Sequence, residues 1–352
     1  MRKILLSLLL VAGLGAGCEN ANDPFEADDD DNDDGAADGD ADGDADADAD
    51  GDSDGDTDVP TTTGPIEPDC SGCSGIGNTL PALLCAIDMC DPNTFIGQDY
   101  TSPTGSTLAG TAEGVAHFGT QSNDLAPLLN GSYALMATGP AMGTSHSVNV
   151  GGGSIADPFS NDGYPIYNAF EWKLQLKAPA GAHGFQVHYV FFSEEYDEFI
   201  STSFNDKFYI FLEAGSTNGG TKTVINYTDC RDPDSYTDFT GPNCDTTSGY
   251  CCYVAINTSL SECCWYDGCL GGTWTTDISG TGYSCANGQG ADSSSTGSST
   301  GWLKTEWPIS PGEEFTLTFH IHDTSDGIYD SEVILDKVLF VGTVEQGTTP
   351  VE

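Results

Sequence analysis

Phe170-Glu171-Trp172-Lys173-Leu174-Gln175-Leu176-Lys177 alternates apolar and polar residues along its length. Successive side chains of a strand point to opposite faces, so a period of two marks a half-buried β-strand. Phe185 to Phe192 follows, with Phe185, Val187, Tyr189 and Phe191 on one face. Ala178-Pro179-Ala180-Gly181 separates the two runs at hairpin distance, which predicts an adjacent antiparallel pair. Phe208 to Leu212, Phe315 to Ile321 and Val333 to Val341 read as further strands. Helical periodicity is confined to Thr79–Met89. There Leu80, Leu83, Leu84 and Ile87 share a face, and Cys85 and Cys90 are placed to staple it. The expected fold class is all-β: a β-sandwich or jelly-roll-like domain with one short N-terminal helix and a disulfide-rich insert lobe.

That domain is expected over 70–345, with a Cys-rich insert at 213–301 and a tail at 346–352. Cys230, Cys244, Cys251, Cys252, Cys263, Cys264, Cys269 and Cys285 fall inside the insert, which has too few apolar residues for a core of its own. Cys70, Cys73, Cys85 and Cys90 lie before it. The short Cys70–Cys73 gap also suits zinc. Export and the scarcity of histidine in the insert favour disulfides for all twelve. Trp265, Tyr266 and Trp274 of the insert are read as packed beneath the bridges, with stacking on sugars as the alternative.

Ahead of the domain the composition changes. Met1-Arg2-Lys3, the apolar run Ile4–Leu14 and the small residues Gly15-Ala16-Gly17 make a signal peptide over 1–17. The small residues run straight into Cys18, which resembles the lipobox of bacterial lipoproteins, although Gly15 stands where that family usually has leucine. The resemblance implies a lipid on Cys18. Removing that residue from the 13 cysteines leaves an even number able to pair. Residues 18–69 form an Asp-rich linker, with 20 acidic residues and no base between Glu19 and Asp58. It cannot bury enough apolar surface to order itself, and like charges extend it beyond a coil reach of about 40 Å. Its Asp-x-Asp-x-Asp-Gly repeats, at Asp38–Gly43, Asp46–Gly51 and Asp50–Gly55, begin like calcium loops but lack the closing glutamate. No later apolar stretch is long enough to span a bilayer, so the membrane is expected as a partner through the Cys18 lipid alone. The expected location is the cell envelope, lipid-anchored at the outer membrane and exposed at the surface. A net charge of −46 repels nucleic acid and excludes it as a partner.

Two motifs carry the chemistry. Phe192-Ser193-Glu194-Glu195-Tyr196-Asp197-Glu198-Phe199 leads into Ser203-Phe204-Asn205-Asp206, and His322-Asp323-Thr324-Ser325-Asp326-Gly327-Ile328-Tyr329-Asp330-Ser331 closes the next-to-last strand. Each sets several carboxylates where an apolar strand emerges into a loop. With Lys207–Leu212 and Ser331–Val333 they resemble the choice-of-anchor L domain of bacterial and archaeal surface proteins. The resemblance runs from about Gly77 to Gly342 and takes in Gly114–Thr120 and Val254–Asn257. It implies a surface-displayed β-domain with no assigned enzymatic activity.

The residues themselves allow three accounts. Glu194, Glu195, Asp206, Asp323, Asp326 and Asp330 converge on calcium, which takes 6–8 hard oxygens, with Ser193 and Asn205 adding neutral ones. Alternatively two of them, Glu194 or Glu195 against Asp206 or Asp330, flank a sugar as a hydrolytic pair. Or they cap their own loops, as Asp326-Gly327 turn chemistry suggests. His320 and His322 share a strand face and are read as structural. The expected role is a calcium-stabilised binding or adhesion module, not an enzyme, whose ligand is a glycan or a surface or matrix protein. A glycan-active hydrolase and a purely structural envelope protein are the alternatives.

Overall fold

The computed structural model describes residues 65–66, 68–70, 73, 80–106, 115–118, 125–139, 150–160, 163–195, 199, 202–229, 251–256 and 297–350. The signal peptide, Cys18 and nearly all of the acidic linker lie outside the described residues, as do Cys230, Cys244, Cys263, Cys264, Cys269, Cys285, Trp265, Tyr266 and Trp274. Thr57–Glu352 is one compact unit.

In chain order the elements are β1 (Pro65–Ile66), α1 (Leu80–Ala86), β2 (Phe95–Thr101), β3 (Val115–Phe118), β4 (Ser132–Ala137), β5 (Ile155–Ala156), β6 (Pro165–Lys177), β7 (Gly184–Ser193) and β8 (Lys207–Glu213). There follow α2 (Gly215–Asn218), β9 (Thr223–Val224), β10 (Tyr227–Asp229), β11 (Cys251–Ala255), β12 (Ser298–Ser299), β13 (Leu303–Pro308), β14 (Glu314–Thr324), β15 (Ser331–Val341) and β16 (Gly347–Pro350). They build two antiparallel sheets. The first runs β16-β13-β7-β15-β4-β3, with β1 on β15 and β12 on β7. The second runs β10-β11-β8-β14-β6-β2, with β5 on β6 and β9 on β8. The all-β sandwich holds.

The alternating strand behaves as its period demands. Phe170, Trp172, Leu174 and Leu176 of β6 are buried in the central core, while Gln175 and Lys177 between and beyond them are exposed. Phe185, Val187, Tyr189 and Phe191 of β7 join the same core from the other sheet. Burying a side chain of this size contributes roughly 1.5–3 kcal/mol, and this core is the main source of stability. The hairpin expected between these two strands does not form. β6 pairs with β14 and β2, and β7 with β15 and β13. Both apolar faces are best buried by facing each other across the sandwich, so the 178–183 connection carries the chain from one sheet to the other. Sequence spacing cannot distinguish that arch from a hairpin.

Three further differences bear on the expectations. The helix is shorter than Thr79–Met89, because Asp88 adopts φ 64° and the turn it makes ends α1 at Ala86. Its predicted staples exist, as disulfides Cys70–Cys90 and Cys73–Cys85, so Cys70 and Cys73 are not a zinc pair. The stretch assigned to the insert contributes β9, β10, β11 and β12 to the sheets, with the backbone of Cys251 and Cys252 in β11. Gly347–Pro350 of the expected tail pairs with β13 as an edge strand, since β13 leaves a row of backbone groups open there. Among the described residues no helix is long and apolar enough to cross a membrane.

Candidate functional site: a buried carboxylate rim

Register places the site. Ser193, the last residue of β7, pairs with Ser331, the first of β15, and Lys207, the first of β8, pairs with His322 near the end of β14. The β7–β8 and β14–β15 connections therefore both cross between the sheets at the same end and run side by side. Cross-links confirm it. Thr324 N–H donates to Asp206 Oδ1 at 2.8 Å, Ser331 Oγ to Asp206 Oδ2 at 2.7 Å, and Ser325 Oγ to Ser203 O at 2.8 Å. Glu194 N–H reaches Asp330 O at 3.2 Å. The two acidic motifs, more than a hundred residues apart in sequence, form one rim.

Five of the six expected ligands gather there. Glu195, Asp206, Asp323 and Asp330 are buried, at 1%, 0%, 1% and 2% exposure. Asp326 is less enclosed, and the Glu195 pKa feels its charge together with those of Asp206 and Asp323. Burial foremost, then these neighbours, push Glu195 well above the carboxylate range. Burial lifts Asp206 to about 7 despite the bonds from Ser331 and Thr324 and the adjacent Lys207 charge. Asp323 is raised well above its ordinary value by burial and then by Asp206. Burial raises Asp326 as well, against the Ile328 N–H that its Oδ1 accepts at 3.1 Å. Glu194, the sixth, enters through its backbone N–H.

Two oxygens decide what the rim can do. Glu195 Oε2 and Asp323 Oδ1 are fully buried and have no hydrogen-bond partner. An unpaired buried acceptor costs about 1–3 kcal/mol, and more when charged. The donor set is all hard oxygen, which fits Ca²⁺ or Mg²⁺ and not a soft metal. The ring is wide: among the described residues, no three of these carboxylates bring an oxygen each within 4.8 Å of one another. Loop capping, the plainer account, is also present, since Asp206 and Asp326 both accept backbone N–H groups. It does not account for Glu195 or Asp323.

Several residues that hold the rim were missed. Asn168, at φ 44°, donates its Nδ2 to Asp323 Oδ2 at 2.9 Å and to Gly327 O at 3.3 Å. Thr138 N–H bonds Ser331 O at 2.9 Å, and a Cβ on the adjacent Gly139 would overlap the Asp330 carboxylate. Asn168 offered a signal, as a polar residue interrupting an apolar strand; Thr138 and Gly139 offered none. Beside the acids, the Phe199 ring packs on Phe204 and Tyr329 with centroids 5.2 and 5.7 Å away, and the neighbouring Ile328 is 52% exposed.

On the outer face of the second sheet His320 Nδ1 meets Glu171 Oε1 at 3.1 Å, and its Nε2 meets His322 Nδ1 at 3.0 Å. At the sandwich's other end a cavity of about 310 Å³ opens between Ile66, Met89, Pro179, Val338 and Phe340.

Comparison with known proteins follows the same lines. Residues 174–340 match the family model described as the choice-of-anchor L domain, a narrower span than Gly77–Gly342 that begins within β6. No curated protein matches. A solved structure, the K2 cleaved adhesin domain of Lys-gingipain, aligns over 70% of this chain and 88% of its own at 13% identity. Its TM-score of 0.28 is too low to support any conclusion.

Proposed function

We propose that the chain, whose residues 174–340 match the model of the choice-of-anchor L domain, is a surface-displayed binding module whose rim takes up calcium. The carrying observation is the pair of buried, partnerless oxygens on Glu195 and Asp323 amid further carboxylates. A divalent cation neutralises several acids at once and supplies both oxygens with a partner, and binding draws the wide ring inward. Glu195, Asp206, Asp323, Asp326 and Asp330 are the ligands, with Asn168, Thr138 and Ser331 positioning them. The enclosure of Glu195 and Asp206 speaks against the hydrolytic pair, because a sugar cannot reach carboxyls exposed at 1% and 0%. The Phe199–Phe204–Tyr329 cluster with exposed Ile328 gives the rim an apolar contact surface, which suits adhesion to a glycan or a surface protein. The acidic leash and the lipid on Cys18 would hold this face away from the outer membrane.

Thermal unfolding of the purified chain in EGTA and in millimolar calcium tests the ion. The melting temperature should rise by several degrees with calcium, and Asp330→Asn should shrink the rise; identical melting in both buffers rules the ion out. The anchor is tested by Cys18→Ser, which should release the protein into the medium. Continued membrane fractionation of that variant counts against lipidation.

A further inference from the structure

A second group of buried carboxyls lies where α1 meets β15. The helix ends in a left-handed turn, in which Met89 N–H donates to Leu84 O at 2.9 Å and Asp88 takes φ 64°. Facing it, the β15–β7 ladder shifts register between Asp336 and Leu339, and Lys337 takes φ 49°. Val338 N–H donates to Ile87 O at 2.9 Å, which docks the helix terminus on this irregularity. The turn before β4 supplies a third wall. Leu128 N–H donates to Asp336 Oδ2 at 2.6 Å, and Asn130, at φ 51°, donates Nδ2 to Asp88 Oδ1 at 2.7 Å.

Between these walls the side chains of Asp88 and Asp336 are in hydrogen-bonding contact, at 1% and 0% exposure. Donor accounting identifies what joins them. Asp336 Oδ2 accepts Leu128 N–H, its Oδ1 accepts Lys337 N–H at 2.7 Å, and Asp88 Oδ1 accepts the Asn130 amide. Asp88 Oδ2 is buried and has no donor. Two ionised carboxylates here would set acceptor against acceptor in a dry site. One proton on Asp88 Oδ2 turns that repulsion into a charge-assisted O–H···O bond.

We propose that Asp88 and Asp336 share a single proton, carried on Asp88 Oδ2, and that it is a pH-dependent latch fastening α1 and its disulfide-bonded cap to β15. The surrounding charges leave the latch acidic. Lys337 favours ionisation of Asp88, and Glu332 and Tyr133 are the neighbours on the β4 side. His188 pairs with Asp336 across the ladder, and burial lowers it to about 4, so it is neutral near Lys304. Burial first, with the Asp88 charge added, pushes Asp336 up to about 8 from an ordinary 3.8. Docked, Asp336 therefore ionises only near pH 8 and the pair keeps its one proton until then, while an undocked aspartate releases its proton near its ordinary 3.8. Docking binds the extra proton. The latch is strongest below pH ~4, weakens about tenfold per pH unit as pH rises, and levels off above pH ~8.

The test is thermal unfolding of the full chain and of Asp88→Asn from about pH 4 to pH 9, in millimolar calcium so that the rim stays constant. Asparagine supplies the missing donor in place and tolerates the left-handed backbone. The variant should match the wild type near pH 4 and exceed it by about 10 °C or more at pH 8. A gap independent of pH, or a variant less stable than the wild type at pH 8, overturns the latch. Asp336→Asn sets an amide donor against the Leu128 or Lys337 N–H, and should be less stable than the wild type throughout. If it instead behaves like Asp88→Asn, the proton does not sit on Asp88 Oδ2. Carbon-13 NMR of the wild-type carboxyls should show one aspartate titrating near pH 8 that is absent in Asp88→Asn; none titrating above about pH 6 also overturns the proposal.

Discussion

The rim and the latch are built from the same materials and differ in number. Both bury carboxyls, and both hold them with backbone in the left-handed region. Among the described residues the non-glycine positions with positive φ are Asn168 and Ser325 at the rim, and Asp88, Asn130 and Lys337 at the latch. Such conformations persist where the surroundings over-determine them. The latch contains two acids, three of whose four oxygens already accept N–H groups, so one proton completes it. The rim gathers five acids, and a proton shared between Glu195 and Asp206, whose side chains are likewise in contact, would still leave Asp323 Oδ1 without a donor. On the two proposals, buried charge is settled by a proton where it is small and by a multivalent cation where it is large.

That contrast can be broken at several points. Removing the Cys70–Cys90 bridge by paired serine substitutions should cost about 3 kcal/mol, the usual figure for a loop of this size, and should loosen the cap. The melting shift on adding calcium should survive it; a lost shift would mean the rim and the cap are one unit. Stripping calcium at concentrations near 100 times the dissociation constant should cost about 2.7 kcal/mol, read by calorimetry, with the pH difference between wild type and Asp88→Asn unchanged. Gly139→Ala drives a methyl into the Asp330 carboxylate and should cost about 1–3 kcal/mol while reducing the calcium response in the same melts. Asn168→Ala removes the amide from Asp323 and should cost about 1 kcal/mol at the rim alone, measured by urea unfolding. Equal loss of the latch's pH dependence in either rim variant would erase the distinction.

Much of the sandwich was legible beforehand, because strand periodicity is a local property. Every one of β6, β7, β8, β14 and β15 lies where alternation or an apolar run marked it, extended by a few residues at its ends. The helix was legible through Leu83, Leu84 and Ile87, all buried, but its end was set by the latch turn at Asp88. The five acids that gather at the rim could be named, along with Glu194, because acids crowded after an apolar strand are conspicuous. Thr138 and Gly139 could not, since nothing near them in sequence is acidic; they matter through Ser331 and Asp330, on a strand nearly two hundred residues later. Asp88 and Asp336 were passed over for the same reason, each looking like an ordinary solvated aspartate.

The chain's order of residues, taken alone, pointed to an all-β domain, to an expected acidic leash behind a signal peptide, and to two carboxylate-rich loops resembling one family. It had no means of saying which sheet each strand would enter, so the arch between β6 and β7 read as a hairpin. Nor could it say that Asp206 would meet Thr324 across 118 positions, or that Leu128 would meet Asp336 across 208. Those meetings depend on hydrogen-bond register between distant strands, which only the packed core decides. The same packing removes water from the acids, and without that removal neither the rim nor the latch would need a counter-charge.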